Sequence, residues 1–318
     1  AAGLRLPLLG GLSWAAPPWS WGIPFVVAVI WTYVGGGFFL LGLLYDRAYR
    51  WIWGIELLVW GGSVHLVWSL FPSASPCLAG VRVGTFNMDA AHYQRARIEK
   101  LADSLSRWHP HILCLQEVYL GDYSAKDFAL RLGYKHYAFL DAKMQMGMLV
   151  LSDFPLEKVH THVLLSGTTN GLYEVWVQLP WGEKAQIINV HFPSYRLGRE
   201  KSWNWDWLSQ VWSEHARFYE KLEAILRKKV NYRWVCGDFN ALPFHPVYRM
   251  LRSRLYDSHE AAQWGKGPTW RRLLRIDYIW ADQPAVSQSI RWIPGQSHAY
   301  VEAAYSWKSA TFAMKSGR

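Results

Sequence analysis

The chain is poor in cysteine, poor in charge over its first quarter, and free of internal repeats and low-complexity tracts. Its three cysteines, Cys77, Cys114 and Cys236, fall at no metal-ligand spacing and make no disulfide framework. That excludes a cysteine-based zinc module and a small disulfide-stapled fold. Cys114 and Cys236 lie in apolar stretches and read as packing residues. Cys77 follows an apolar run, where it is either an inert thiol or an acylation site.

Charge is missing altogether from Leu6 to Tyr45, although 18% of the 318 residues are charged. Within that run the 25 residues 21–45, "WGIPFVVAVIWTYVGGGFFLLGLLY", exceed the roughly 20 needed to cross a bilayer as a helix. They are expected to do so. A second run, residues 51–71, is long enough to span but carries Glu56 and His65. An ionisable group at the bilayer centre costs at least about 2.5 kcal/mol on insertion scales. The run therefore reads as a second span with sheltered polar groups, as an interfacial segment, or as half of a re-entrant hairpin. Arg47 and Arg50 in the connector place it on the cytoplasmic or matrix side. The initial Ala suggests a removed targeting peptide and an organelle membrane, though a trimmed sequence would begin the same way.

Acidic residues are outnumbered, and the net charge is +10. Residues 1–80 contribute only +1 of this, so the remainder of the chain is basic and suited to an anionic partner. Phosphodiesters, nucleic acid and acidic lipid headgroups all qualify.

The expected organisation is a membrane segment over 1–80, a folded domain over 81–308 and a tail over 309–318. The boundary falls in the Pro/Ser/Gly connector 71–80. Beyond it strand and helix patterns alternate. Strands are expected at 81–88, 111–118, 146–152, 173–179, 185–192, 232–239, 275–281 and 299–305, and helices at 95–108 and 213–229. Many strands with interspersed helices indicate an α/β domain built on packed sheets.

Polar residues recur at the ends of those apolar strands: Asn87, Glu117, His191, Asp238 with Asn240, and Asp277, with His298 near the last strand. The stretch "RWVCGDFNAL" alone reads equally as a turn with local hydrogen bonds. Asn87 could cap a turn, His191 could be a satisfied core histidine, and Asp277 could pair with Arg275 or Arg271. Several buried carboxylates in one domain, however, suggest convergence on a single polar site. Its oxygen-rich donors suit Mg²⁺, or Mn²⁺, better than zinc.

The ordered series "TFNM", "CLQEV", "INVHF", "CGDFNAL", "PTW", "RIDYIW" and "SH" resembles the endonuclease/exonuclease/phosphatase (DNase-I-like) superfamily over residues 81–308. The resemblance implies a four-layer sandwich of two packed β-sheets flanked by helices, here preceded by a transmembrane helical hairpin. It implies Glu117 as Mg²⁺ ligand with Asn87 beside it, and Asp238 as the carboxylate that polarises the attacking water. Asn240 would orient the phosphate, and His298, held by Asp277, would act as base or transition-state stabiliser. His191 would contact phosphate and protonate the leaving oxygen. One departure is visible: the family ends in Ser-Asp-His, and this chain reads "GQSHAYV", with Ser297 where a carboxylate is expected.

Tethering and basic charge make the chain look most like the neutral sphingomyelinases, a membrane-anchored Mg²⁺-dependent phosphodiesterase acting on membrane lipids. The alternatives are a nuclease and a non-catalytic subunit of a membrane complex. The Trp-rich stretch 201–212 would pack on its own domain, lie at a bilayer surface or meet other membrane-protein subunits.

Overall fold

In the computed structural model of the chain, the described residues are 80–306, apart from 90–93, 144–145, 166–167, 196–204 and 263–266. Among them no helix is long and apolar enough to cross a membrane. The segments 21–45 and 51–71, Cys77 and the tail 309–318 lie outside the described residues.

Two six-stranded sheets form the domain. The first has the order β11 (Ser287–Trp292), β12 (Ala299–Tyr305), β1 (Val81–Asn87), β2 (Ile112–Tyr119), β4 (Met146–Ser152) and β3 (His136–Lys143). The second runs β5 (Leu156–Leu164), β6 (Gly171–Gln178), β7 (Lys184–His191), β8 (Tyr232–Asp238), β10 (Asp277–Ala281) and β9 (Tyr256–Asp257). Each sheet has one parallel pair at its centre, β1 with β2 and β7 with β8, and every other pairing is antiparallel.

Parallel neighbours need a crossover, and helices supply it. Helix α1 (Arg95–Trp108) links β1 to β2, and α3 (Trp205–Leu226) links β7 to β8. Ile98, Leu101, Ala102 and Leu105 recur at helical spacing and bury one face of α1 on the first sheet, against Leu113, Leu115, Leu149 and Leu151. The helix stops at His109, which takes a left-handed φ of 36° and donates its N–H to Leu105 O. Short helix α2 (Ala125–Arg131) joins this layer through Phe128, its start capped by the Ser124 hydroxyl. On the other side Phe218, Leu222 and Ile225 of α3 pack on Ile188, Val190 and Val235. Helix α4 (Pro246–Arg252) adds Val247 and Leu251, and α5 (Ser258–Ala262) completes the set.

Strand alternation sends the opposite side chains inward. Val83, Cys114 and Val150 of one sheet meet Ile187, Trp234 and Ile279 of the other, and Cys114 Sγ lies 3.0 Å from Cys236 Sγ. The result is the expected four layers, helix, sheet, sheet, helix.

Four strands, β3, β5, β9 and β11, escape the sequence pattern. In β5 most residues are exposed, so no apolar run marks it. Helix α3 begins eight residues before the expected start at 213. Residues 205–212 of the Trp-rich stretch are therefore its opening turns, with Trp212 64% exposed.

The parallel pairs bring the C-terminal ends of β1, β2, β7 and β8 to one edge of the sandwich, where the antiparallel strands β10 and β12 begin. Gly237 allows the close approach of β7 and β8 there. Its φ is 144°, and a Cβ on it would fall 1.9 Å from Val190 O. Gly237→Ala is expected to cost at least about 2 kcal/mol through strain and backbone displacement. Urea unfolding of the variant measures this, and an unchanged midpoint would contradict the packing described.

Candidate active site

Asn87, His191, Asp238 and Asp277 stand at strand ends on this edge, His298 one position before β12, Glu117 two positions from the end of β2, and Asn240 two past β8. Asn87 closes β1, and its Nδ2 donates to Glu117 Oε1 at 3.1 Å and to Asp238 Oδ2 at 2.9 Å. One amide thus joins carboxylates from opposite sheets. Asn87 Oδ1 in turn accepts the Asp89 N–H at 2.9 Å.

Glu117 reaches the edge because β2 is bulged. The pairing of β2 with β4 shifts between Leu115 and Val118, and Glu117 has a φ of 46°. Strand alternation already turns Gln116, like Ile112 and Cys114, into the space between the sheets, and the extra residue leaves Glu117 half-buried at the opening. Gln116 Nε2 donates to Asn189 Oδ1 at 2.7 Å, and Asn189 Nδ2 donates to Leu115 O and Leu149 O. A strained backbone of this kind persists only where such contacts hold it.

His191 ends β7. Its Nδ1 lies 3.0 Å from Thr169 O, which fixes the proton on that nitrogen, and its Nε2 faces Glu117 Oε1 at 3.4 Å. Asp238 ends β8, directly opposite Asp277 in the β8–β10 register. The Asn240 N–H donates to Asp238 Oδ1 at 2.8 Å. Asn240 Nδ2 donates to Phe192 O at 2.9 Å and to Asp238 Oδ2 at 3.3 Å.

His298, just before β12, sits between two carboxylates. Its Nδ1 is 3.1 Å from Asp277 Oδ2 and its Nε2 is 3.9 Å from Asp238 Oδ2. Asp277 therefore pairs with the histidine, while Arg275 is bound by Asp257 at 2.5 Å. Burial disfavours the imidazolium, but the adjacent Asp277 charge and hydrogen bond, with Asp238 and Glu117 behind them, outweigh it and lift His298 to about 9. Burial, then the Asp277 charge, raise Asp238 to about 6, against the opposing pull of His298, His191 and the Asn240 N–H. The two groups titrate as a pair, and the direction that stands is a proton held on His298.

Two donor groups could serve a cation. Asp238, Asp277 and His298 place one ligand atom each within 4.8 Å of one another, but all three are buried and already bonded together. A cation there would have to displace the proton on His298 before the ring could ligate. Glu117 is the open carboxylate, 30% exposed, and it carries the better claim on a hard divalent ion. The Asn87 atom that faces it is the donor Nδ2, while Asn87 Oδ1 accepts the Asp89 N–H. The set holds carboxylate, carboxamide and imidazole with no thiolate, which fits Mg²⁺ or Mn²⁺ chemistry.

Four residues of the site escaped the sequence reading. Ser297 Oγ donates to Asp89 Oδ2 at 2.9 Å, so a carboxylate stands beside the position where "GQSHAYV" lacks one. Asp89 lies only two residues beyond Asn87 in "TFNMD", close enough to a named motif to have been considered. Thr269 Oγ accepts the N–H groups of Ile276 and Asp277, at 3.1 and 3.0 Å, and so sets the start of β10; it is the Thr of "PTW". Gln116 and Asn189 lie inside "CLQEV" and "INVHF", on the faces that meet between the sheets, and only the pairing of the two sheets brings them together.

Paired carboxylates and histidines at the edge of a two-sheet sandwich define a phosphoester-cleaving class of site. The sequence profile of the Endonuclease/Exonuclease/phosphatase family matches residues 84–303, and the chain belongs to that family. No curated protein sequence matches the chain. Among solved structures it is similar to the 3′ phosphatase NExo from Neisseria bound to product DNA hairpin, at 16% identity and a TM-score of 0.54, covering 71% of this chain and 100% of that one. It is also similar to the human Nocturnin catalytic domain with bound sulfate anion, at 19% identity and a TM-score of 0.53, covering 73% and 95%. An AP endonuclease from Archaeoglobus fulgidus matches at 19% identity and a TM-score of 0.53, covering 71% and 99%. At these identities the likeness is one of fold.

A histidine whose pKa is raised contributes stability fully below its unfolded value, near 6.5, and loses it as pH rises through about 9. NMR titration of the His298 ring in metal-free protein is expected to give a midpoint well above 6.5. In Asp277→Asn burial dominates and the midpoint should fall below 6.5. A low midpoint in the unmodified protein would contradict the pairing.

Proposed function

We propose that the chain is a membrane-anchored, divalent-metal-dependent phosphodiesterase whose substrate is a lipid-headgroup phosphodiester. The observation that carries the catalytic part is the position of His298, a cationic ring braced by Asp277 and facing Asp238 across 3.9 Å. Two groups with pKa values on opposite sides of neutrality leave Asp238 as the base and His298 as a fixed cation.

Asp238, raised to about 6, stays largely ionised at pH 7 and accepts a proton from the attacking water. Asn87 and Asn240 hold it in place. The water oxygen bonds to phosphorus in line with the leaving oxygen, whose bond breaks. His298, protonated near neutrality, stabilises charge on the non-bridging oxygens rather than acting as base. His191 acts as the imidazolium: Nε2, beside Glu117, gives its proton to the leaving oxygen and leaves the Nδ1–H tautomer that Thr169 O holds. A hard divalent ion held by Glu117 would neutralise phosphate charge when bound.

The lipid preference rests on the uncharged run from Leu6 to Tyr45, which would keep the site beside a bilayer, and on the basic charge after residue 80. The nuclease reading is supported by a different observation, the likeness in fold to NExo bound to a DNA product. Against a purely structural subunit stands the connected hydrogen-bonding of Asn87, Glu117, Asp238, Asp277 and His298.

The test is Mg²⁺-dependent hydrolysis of bis-p-nitrophenyl phosphate, sphingomyelin and a short DNA duplex by the full chain in detergent. Asp238→Ala and His298→Ala are each expected to lower the rate by about 10²–10⁴-fold, with sphingomyelin preferred. DNA as the preferred substrate would make the nuclease reading correct. Hydrolysis no faster than that of the two variants on all three substrates would overturn catalysis.

A further inference from the structure

The three most exposed large apolar side chains of the described residues are Phe244 at 75%, Leu273 at 67% and Trp212 at 64%. All others stand at 55% or less. These three share one end of the second sheet. Phe244 lies in the loop after β8, and Leu273 in the turn before β10. Those strands pair with Asp238 opposite Asp277, so both loops leave the sheet at the catalytic edge. The Tyr278 hydroxyl lies 2.8 Å from Ala241 O and 2.6 Å from Arg275 O and so ties the loops together. Trp212 lies in the opening turns of α3, three residues before His215. The His215 ring reaches Pro193 O at 2.7 Å, two residues past His191.

The turn carrying Leu273 is rigidly built. Trp270 and Leu274 exchange backbone hydrogen bonds at 2.8 and 3.1 Å, and the Arg271 N–H donates to Ser297 O at 2.7 Å, beside His298. Arg271 and Arg272 take left-handed φ values of 46° and 59°. Their guanidinium groups lie over the Trp270 and Trp292 rings at 4.7 and 5.1 Å. Among the described residues neither pairs with a carboxylate. An exposed leucine thus stands beside two fixed cations at the rim of the site.

We propose that this rim docks on an anionic bilayer surface, with Phe244, Leu273 and Trp212 entering the acyl boundary and Arg271 and Arg272 meeting headgroup phosphates. Single exposed apolar residues are ordinary, but the three largest exposures grouped at one end are not. A nucleic acid would reward the arginines and, where single-stranded, the Phe244 and Trp212 rings, but would leave Leu273 in water; a bilayer rewards all five. The proposal deepens the phosphodiesterase reading and rests on it for the substrate, because docking in this orientation turns the site toward lipid headgroups.

The full chain, in a Cys77→Ser background, is reconstituted into phosphatidylcholine vesicles with and without phosphatidylserine. An environment-sensitive fluorophore is attached at Phe244→Cys, Leu273→Cys or, as control, Val286→Cys. Val286 is exposed and lies next to the Ser287–Ala304 pair, at the other end of its sheet from His298. Quenching by lipid-borne nitroxides at 244 and 273 is expected to exceed that at 286 by at least about twofold in phosphatidylserine vesicles. It should fall in the Arg271→Glu, Arg272→Glu double variant. Equal quenching at all three positions overturns the proposal, as does quenching indifferent to the double variant. Shielding of the tips by a DNA duplex but not by vesicles overturns it in favour of nucleic acid. Hydrolysis of bis-p-nitrophenyl phosphate in the same samples separates the two claims: quenched tips without hydrolysis contradict catalysis and leave docking standing.

Discussion

The architecture of the site depends on one carboxamide. Asn87 Nδ2 donates both to Glu117, from its own sheet, and to Asp238, from the facing sheet. Two carboxylates brought together at a buried edge repel each other and lose hydration. A two-hydrogen donor between them satisfies one oxygen of each and sets their separation. The packing of Val83, Cys114 and Val150 against Ile187, Trp234 and Ile279 brings the sheets together, and the Asn87 amide makes their edges compatible.

The same constraint explains the electrostatics. Asp238 is buried, faces Asp277 across the β8–β10 pair, and would be costly to ionise without a positive neighbour. His298 is that neighbour: its Nδ1–H bonds to Asp277, and the Asp238 charge facing Nε2 adds to the field that keeps the ring cationic. Glu117 sits apart from this balanced group, on a bulge held by the bonds of Gln116 and Asn189 behind it and of Asn87 beside it. An excess of carboxylate therefore remains at the solvent side, where a divalent cation and a phosphate would arrive.

Much of this was legible in the amino-acid order. Helix α1 lies over the expected residues 95–108, and β4 over 146–152, because their apolar spacing is clean and their neighbours are polar. The strand-end polar residues were conspicuous because strands otherwise so apolar have no structural use for them. Strand β5 was hidden, since its residues are mostly solvent-exposed and its pairing with β6 is broken by two register shifts. The opening turns of α3 were hidden by tryptophans that blur the amphipathic pattern. Asp89 was overlooked because its partner, Ser297, is 208 residues away in the chain. Local spacing cannot report a contact of that range.

Membership of the Endonuclease/Exonuclease/phosphatase family states the fold and a general phosphoesterase chemistry. Within that frame the chain's own features are the serine at 297, the carboxylate of Asp89 beside it, and the apolar rim around the edge. The proposed principal cation ligand is the open Glu117 carboxylate rather than the self-paired group of Asp238, Asp277 and His298. Mn²⁺ binding to the full chain, followed by electron paramagnetic resonance, tests it most directly. Binding lost in Glu117→Gln and kept in His298→Gln is the result predicted. Binding unaffected by Glu117→Gln but lost in His298→Gln would contradict the account.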